Sequence, residues 1–177
     1  MSRFQKQISS GPSADEPRGS AVEAMYTDFI AESNRIEGIK RLPTKAEAEE
    51  MKRFMMCPKV TVEEMQRFVA VYEPGARLRD KPGRDVQIST YRPPEGGIYI
   101  RYRLSELLRE LGRVNSREVA NREAYHTHVQ YERLHPFTDC NGRSGRMLWA
   151  WQMQAFPLGF LHAFYYQALK YGDAGDE

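Results

Sequence analysis

Twelve consecutive residues, from His135 through Pro136, Phe137, Thr138, Asp139, Cys140, Asn141, Gly142, Arg143, Ser144 and Gly145 to Arg146, gather a proton acceptor, a carboxylate, an Asn-Gly turn and two arginines. Arg143 and Arg146 stand three positions apart, so on a helix they project from one face. Backbone N–H groups where a loop opens into a helix bind anions, and guanidinium forks fit phosphate oxygens. A single carboxylate in such a place, Asp139, suits Mg²⁺, which keeps several of its waters and shares phosphate oxygens with a substrate. His135 has an ordinary pKa near neutrality and suits removal of a proton from an incoming hydroxyl. The chemistry these residues point to is transfer of part of a nucleotide onto an alcohol. A polar turn with solvated arginines would account for each residue singly but not for their joint spacing.

The stretch resembles the signature of Fic-domain proteins, His-Pro-Phe-x-Asp/Glu-Gly-Asn-Gly-Arg-x-x-Arg, with Cys140 at the one position where the family usually has glycine. The resemblance implies that His135 activates a target hydroxyl for attack on the α-phosphate of ATP and that Asp139 binds Mg²⁺. It further implies that Asn141, Gly142 and the backbone of Cys140 cradle the α and β phosphates, while Arg143 and Arg146 hold the β and γ phosphates of the leaving pyrophosphate. Pro136 and Phe137 read as structural. If position 140 needs a positive φ, its β-carbon costs on the order of 1 kcal/mol relative to glycine. The related Doc kinases carry alanine at that position and lysine where this chain has Gly142, which favours nucleotidyl transfer here. A catalytic thiolate at Cys140 is the sharper alternative, since a helix N-terminus lowers a thiol pKa.

Ser33-Asn34-Arg35-Ile36-Glu37-Gly38 is similar to the inhibitory motif of many Fic proteins, Ser/Thr-x-x-x-Glu-Gly/Asn. By that resemblance Glu37 pairs with Arg146 and occupies the γ-phosphate position. The activity implied is an autoinhibited protein adenylyltransferase acting on a Ser, Thr or Tyr hydroxyl of a target protein, with self-modification possible. Removal of AMP stands as an alternative, because in some Fic proteins the inhibitory glutamate positions a water; so do UTP, GTP or a CDP-linked alcohol as donor, because no motif reads a base edge, and a nucleotide-binding toxin–antitoxin module.

The elements that must position these groups are mostly helical. Ala21 to Ser33 reads as a helix with Met25, Phe29 and Ile30 on one side, running out near Gly38. Thr44-x-x-Glu47 and Thr61-x-x-Glu64 are capping boxes that each open a helix. Asp85 to Tyr91 and Ile98 to Tyr102 are rich in β-branched and aromatic residues around a Pro-Pro-Glu-Gly-Gly tip, which predicts a hairpin flap. The family likeness makes that flap the place where the target docks, on edges from Gln87, Ile88, Ser89, Thr90 and Tyr91 and from Ile98, Tyr99 and Ile100. Helices resume at Leu104 to Leu111, from Ser116 to about Leu134 with Val119, Ala124 (or Glu123), Tyr131 and Leu134 near one stripe, from Asn141 to Phe156, and from Pro157 to Lys170. The expected fold is mainly α: a helical bundle with one small hairpin, in a single domain over 21–177 behind a polar leader of residues 1–20.

Composition removes several classes of function. Lys and Arg total 26 against 24 for Asp and Glu, and the signs are interleaved, so no nucleic-acid footprint appears. No apolar run approaches the roughly 20 residues of a membrane helix. The two cysteines, Cys57 and Cys140, make no Cys-x-x-Cys pair and no disulfide framework, which suits a reducing cytoplasm, with secretion into a host also open. His126 and His128 are two apart on a helix and face different ways, and His162 sits among Phe160, Leu161, Phe164 and Tyr165 as a core residue.

Overall fold

The computed structural model describes residues 17–111 and 117–153, with side chains from 21 to 111 and from 124 to 153. Six helices run in order: α1 (Pro17–Ile36), α2 (Lys45–Met55), α3 (Val62–Tyr72), α4 (Ile98–Leu111), α5 (Arg117–Leu134) and α6 (Asn141–Gln152). The chain is mainly helical, as expected. The leader's residues 1–16, the cap at Ser116, the side chain of Val119, and the helix from Pro157 with its His162 lie outside the described residues. Helix α1 already begins at Pro17, inside the stretch read as leader, and α6 ends at Gln152 rather than Phe156.

Local chemistry sets the helix ends. At α2, Thr44 Oγ1 accepts from the Glu47 N–H at 3.2 Å while a Glu47 oxygen accepts from the Thr44 N–H at 2.7 Å, so the capping box is complete. At α3 only half of the box forms. Thr61 Oγ1 accepts from the Glu64 N–H, but the Glu64 carboxylate turns to Arg53 at 2.5 Å. Helix α1 stops in a paired turn: the Gly38 N–H reaches Arg35 O at 3.0 Å and the Ile39 N–H reaches Asn34 O at 2.9 Å. That Schellman pattern needs φ > 0 at its glycine, and Gly38 has φ +75°. Phe29 and Ile30 dock α1 on the bundle, whereas Met25, expected beside them, is exposed.

Helix α6 runs through the middle and packs on α5, α2, α1 and α3. It is buried from Arg143 through Ala150, so even its polar residues face other elements. Gly145 lets α5 lie close, since a Cβ there would overlap Glu132 Oε1 and stand 3.0 Å from the Tyr131 ring. Ser144 Oγ and the Tyr131 hydroxyl meet at 2.7 Å across that seam. Ala124, Tyr131 and Leu134 of α5 are buried along the predicted stripe. Around the α2–α3 side, Phe68 stacks on Tyr72 with ring centroids 4.2 Å apart and takes the edge of Phe54 at 5.4 Å.

The two-stranded flap does not form. Ile98, Tyr99 and Ile100 open helix α4. Their β-branched and aromatic character suggested a strand, but the burial of Ile100, Leu104, Leu108 and Leu111 follows spacings of four, four and three, the period of a helix face. Ile100 is fully buried and so presents no edge to a docking segment. In the first arm, Ile88 and Tyr91 exchange backbone hydrogen bonds of 3.0 and 2.8 Å around Ser89, whose φ is +51°. The β-structure there is one tight, exposed turn. Among the described residues no helix is long and apolar enough to cross a membrane.

Candidate active site

The loop between α5 and α6 is held on its outer side by a short extended segment, Arg77 to Arg79. The Arg79 N–H donates to Pro136 O at 2.8 Å, the Thr138 N–H to Arg77 O at 2.9 Å, and the Arg77 N–H to Thr138 Oγ1 at 3.0 Å. Leu78 and Phe137 face each other in this bridge, and both are buried. On the inner side Asn141 clamps the loop onto itself. Its Oδ1 accepts from the Phe137 N–H at 2.9 Å and its Nδ2 donates to Phe137 O at 2.8 Å. The Asn141 side chain therefore shapes the loop, which leaves the backbone as that residue's means of meeting an anion.

Two residues adopt left-handed backbone at the ends of the loop: His135 with φ +48° and Cys140 with φ +67°. Cys140 is thus a β-carbon-bearing residue at a position glycine occupies without strain. Its thiol is buried, and burial pushes its pKa up to about 12, against the pull of Arg143. A protonated thiol is a poor nucleophile, so the thiolate reading loses its physical basis. The Ser144 N–H makes a helical bond to Cys140 O at 3.0 Å. The N–H groups of Asn141, Gly142 and Arg143 precede it in the first turn of α6, where helices leave donors without intrahelical partners.

A cavity of about 380 Å³ opens at that helix end, lined by His135, Asp139, Asn141, Gly142 and Arg143 together with Glu37, Ile39, Glu73, Thr138 and Cys140. Burial lowers the His135 pKa first of all. The Arg79 charge adds to this, while the Glu132 backbone and the charges of Glu37 and Asp139 oppose it. The net effect keeps the imidazole neutral, the form that accepts a proton. Asp139 is exposed at the cavity wall, and one of its oxygens accepts from the Cys140 N–H at 2.5 Å.

Both arginines meet carboxylates. Arg146 is buried; its Nε donates to Ser33 Oγ at 2.9 Å, and its Nη2 to Ser33 O at 3.0 Å and to Glu37 Oε1 at 2.6 Å. Of the residues singled out from the sequence, Ser33 and Glu37 thus reach Arg146, while Gly38 ends α1 in the turn that precedes Ile39. Gly142 is part of the arrangement, because a Cβ there would overlap Glu37 Oε1. Arg143, also buried, donates to Tyr72 O at 3.1 Å and to Glu73 Oε2 at 2.9 Å. Glu73 went unnoticed in the sequence; only its place just before Pro74-Gly75, at the end of α3, marked it.

A model of the Fic/DOC family matches residues 57–153, more than half of the chain. The protein belongs to the Fic/DOC family. The matched span runs from just after α2 through α6 and takes in the whole cavity except Glu37 and Ile39. No curated protein matches the chain. Fic-domain proteins are in general nucleotidyl transferases, which agrees with a cavity that combines a neutral histidine, a carboxylate and a helix N-terminus.

Other polar groups lie behind the Fic loop. His128 and Glu132 are one turn apart on α5, facing Gly145. Burial takes the His128 pKa down to about 4 and that of Glu132 up to about 7, the latter in spite of the Arg146 charge. His126 is exposed and His128 buried, so the two do face apart. Among the described residues no group of three His, Cys, Asp or Glu side chains could hold a metal ion. A lone exposed carboxylate fits a Mg²⁺ that arrives with its substrate's phosphates and keeps water in its remaining positions.

Proposed function

We propose that this Fic protein is an autoinhibited protein adenylyltransferase, which moves AMP from ATP to a Ser, Thr or Tyr hydroxyl of a target protein. The observation that carries the reading is the pairing of Arg146 with Glu37 at 2.6 Å beside the cavity that contains His135. In the proposed mechanism His135, held neutral, takes the proton of the target hydroxyl as its oxygen attacks the α-phosphate, and pyrophosphate leaves. The N–H groups of the first turn of α6 receive the α and β phosphates. Arg143 and Arg146 balance the charge that moves onto the leaving group. Mg²⁺, held by Asp139 and phosphate oxygens, would supply further charge neutralisation. Such a site acts by positioning and fixed charge, with no covalent intermediate on the enzyme.

Glu37 is the brake in this reading. Its carboxylate and the ATP γ-phosphate compete for one guanidinium, so ATP binds productively only when Glu37 leaves Arg146. The target docks near the exposed turn of Gln87, Ile88, Ser89, Thr90 and Tyr91. The deciding experiment combines ATP calorimetry with a transfer assay using labelled ATP and Mg²⁺. His135→Ala should lose about 10²–10⁴-fold in transfer rate while ATP binding stays nearly intact. Undiminished transfer by the alanine variant removes His135 from the mechanism.

A further inference from the structure

One cation close to His135 takes no part in the scheme above. Arg79 is wholly buried, and its guanidinium is aimed at backbone carbonyls. Nη1 donates to His135 O at 2.9 Å and more weakly to Leu134 O at 3.5 Å; Nε donates to Arg84 O at 2.8 Å; Nη2 donates to Pro94 O. The main chain of the same residue donates to Pro136 O and accepts from the Gly97 N–H, both at 2.8 Å. One residue thus joins the end of α5, the entry of the Fic loop, both arms of the 84–94 segment and the start of α4.

Each of these contacts has a physical reason. The last carbonyls of a helix lack intrahelical donors, and a cation at that end also complements the helix dipole. His135 leaves α5 in left-handed backbone, a conformation that surrounding contacts must hold for a side chain with a β-carbon. A guanidinium presents five N–H donors in a planar fork, enough to meet several carbonyls at once, whereas an ammonium is a compact point charge. Burying a charge is costly unless its donors are matched. Here the match is made with the backbone that carries the histidine.

We infer that Arg79 is the positioning residue of the catalytic base: it fixes the backbone of His135 at the cavity and ties the 84–94 segment to it. The inference rests on the reading of His135 as the base. Its charge also bears on the imidazole. The groups that face His135 electrostatically are Arg79 from the extended segment, Glu37 from α1, Asp139 from its own loop, and the backbone at Glu132 on α5. Of these, Arg79 alone disfavours the protonated ring.

The test uses the full chain in a Glu37→Gly background and compares Arg79→Lys, Arg79→Gln and His135→Ala for kcat, KM for ATP, melting temperature and pH profile. In folded protein, both Arg79 variants should lose about 10- to 100-fold in kcat, as a displaced catalytic group does, with KM changed by less than about twofold. Arg79→Gln should in addition move the acid limb of the profile to higher pH, and Arg79→Lys should leave it in place. Parental kcat and an unmoved acid limb in both variants would overturn the inference, and a lowered melting temperature alone would make Arg79 merely structural. Should neither variant fold, NMR of the Arg79 guanidinium in the parent chain decides. Guanidinium N–H protons protected from solvent exchange support the inference, and freely exchanging ones overturn it. Transfer surviving in His135→Ala sinks the base itself; transfer lost there but intact in the Arg79 variants sinks only this inference.

Discussion

Arg143 and Arg146 lie one helical turn apart on α6, and each meets a glutamate, yet the two pairs differ in kind. Glu73 sits at the end of α3, and Arg143 also donates to the Tyr72 carbonyl beside it, so this pair closes a helix terminus within the span shared with the family. Glu37 stands just past the end of α1, outside that span, and meets Arg146 beside the cavity. It follows the last residue of its helix, where the dipole disfavours an anion, and Arg146 offsets that cost. The comparison separates a carboxylate that closes a helix inside the family span from one that comes from outside it and is the brake of the proposed function. Glu37 hangs on an element whose docking rests on Phe29, Ile30 and the Ser33 contacts.

The difference can be broken experimentally. Glu37→Gly should raise transfer by roughly ten- to a hundredfold, because a charged hydrogen bond of about 2–3 kcal/mol no longer competes with the γ-phosphate. Self-modification with labelled ATP is the first readout, and activity equal to wild type, with ATP bound identically in both, would remove the brake. Arg143→Ala should weaken ATP binding by about 1.5–3 kcal/mol in calorimetry and also lower the melting temperature, since α3 loses its closure. Unchanged stability in that variant would show that the Glu73 pair is no architecture.

The polar layer behind the arginines gives a pH-dependent test. Glu132 has its pKa raised to about 7 in the fold, from 4.5. The folded state therefore keeps a proton that the unfolded chain has released, and stability falls as pH rises between those values. Glu132→Gln cannot ionise. Its advantage should be absent near pH 4.5, grow with pH, and reach about 2 kcal/mol above pH 7, after allowance for a half-buried carboxyl. Chemical denaturation across that range measures it, and a pH-independent difference would show that the site does not hold its proton. Glu73→Gln should change transfer by less than about tenfold, in keeping with a half-exposed ion pair. Activation as large as that of Glu37→Gly would erase the contrast between the two carboxylates. Smallest of all, Cys140→Ser should leave transfer within about twofold, since the backbone N–H groups persist and the thiol is protonated. A folded, ATP-binding but inactive serine variant would make the sulfur chemical.

The Fic loop was more legible than the segment from Asp85 to Tyr102. Residues 135–146 carry their information in types at fixed spacings, and each type has a physical job that survives without knowledge of its neighbours. The capping box at Thr44 and the stop at Gly38 were likewise local, and both formed as read. The segment from Asp85 to Tyr102 was judged by β-branched and aromatic content, which depends on packing for its meaning. Its second half turned out to be the first turn of α4, because Ile100 and Leu104 face the core together. Glu73 and Arg79 escaped notice for a related reason. A lone glutamate or arginine is ordinarily a surface residue, and nothing local distinguishes one that will meet Arg143 or the carbonyls of α5.

By itself, then, the sequence determined a helical protein with a Fic-type loop and a glutamate at a helix end, because these follow from spacing, caps and turns acting over a few residues. Only the tertiary structure decided that Glu37 meets Arg146 over Gly142, that Arg79 takes hold of His135, and that the Cys140 thiol is buried and protonated. Those outcomes depend on which faces of α1, α5 and α6 bury one another. Burial, not residue type, sets whether a charge is a surface solute or a partner held inside the fold.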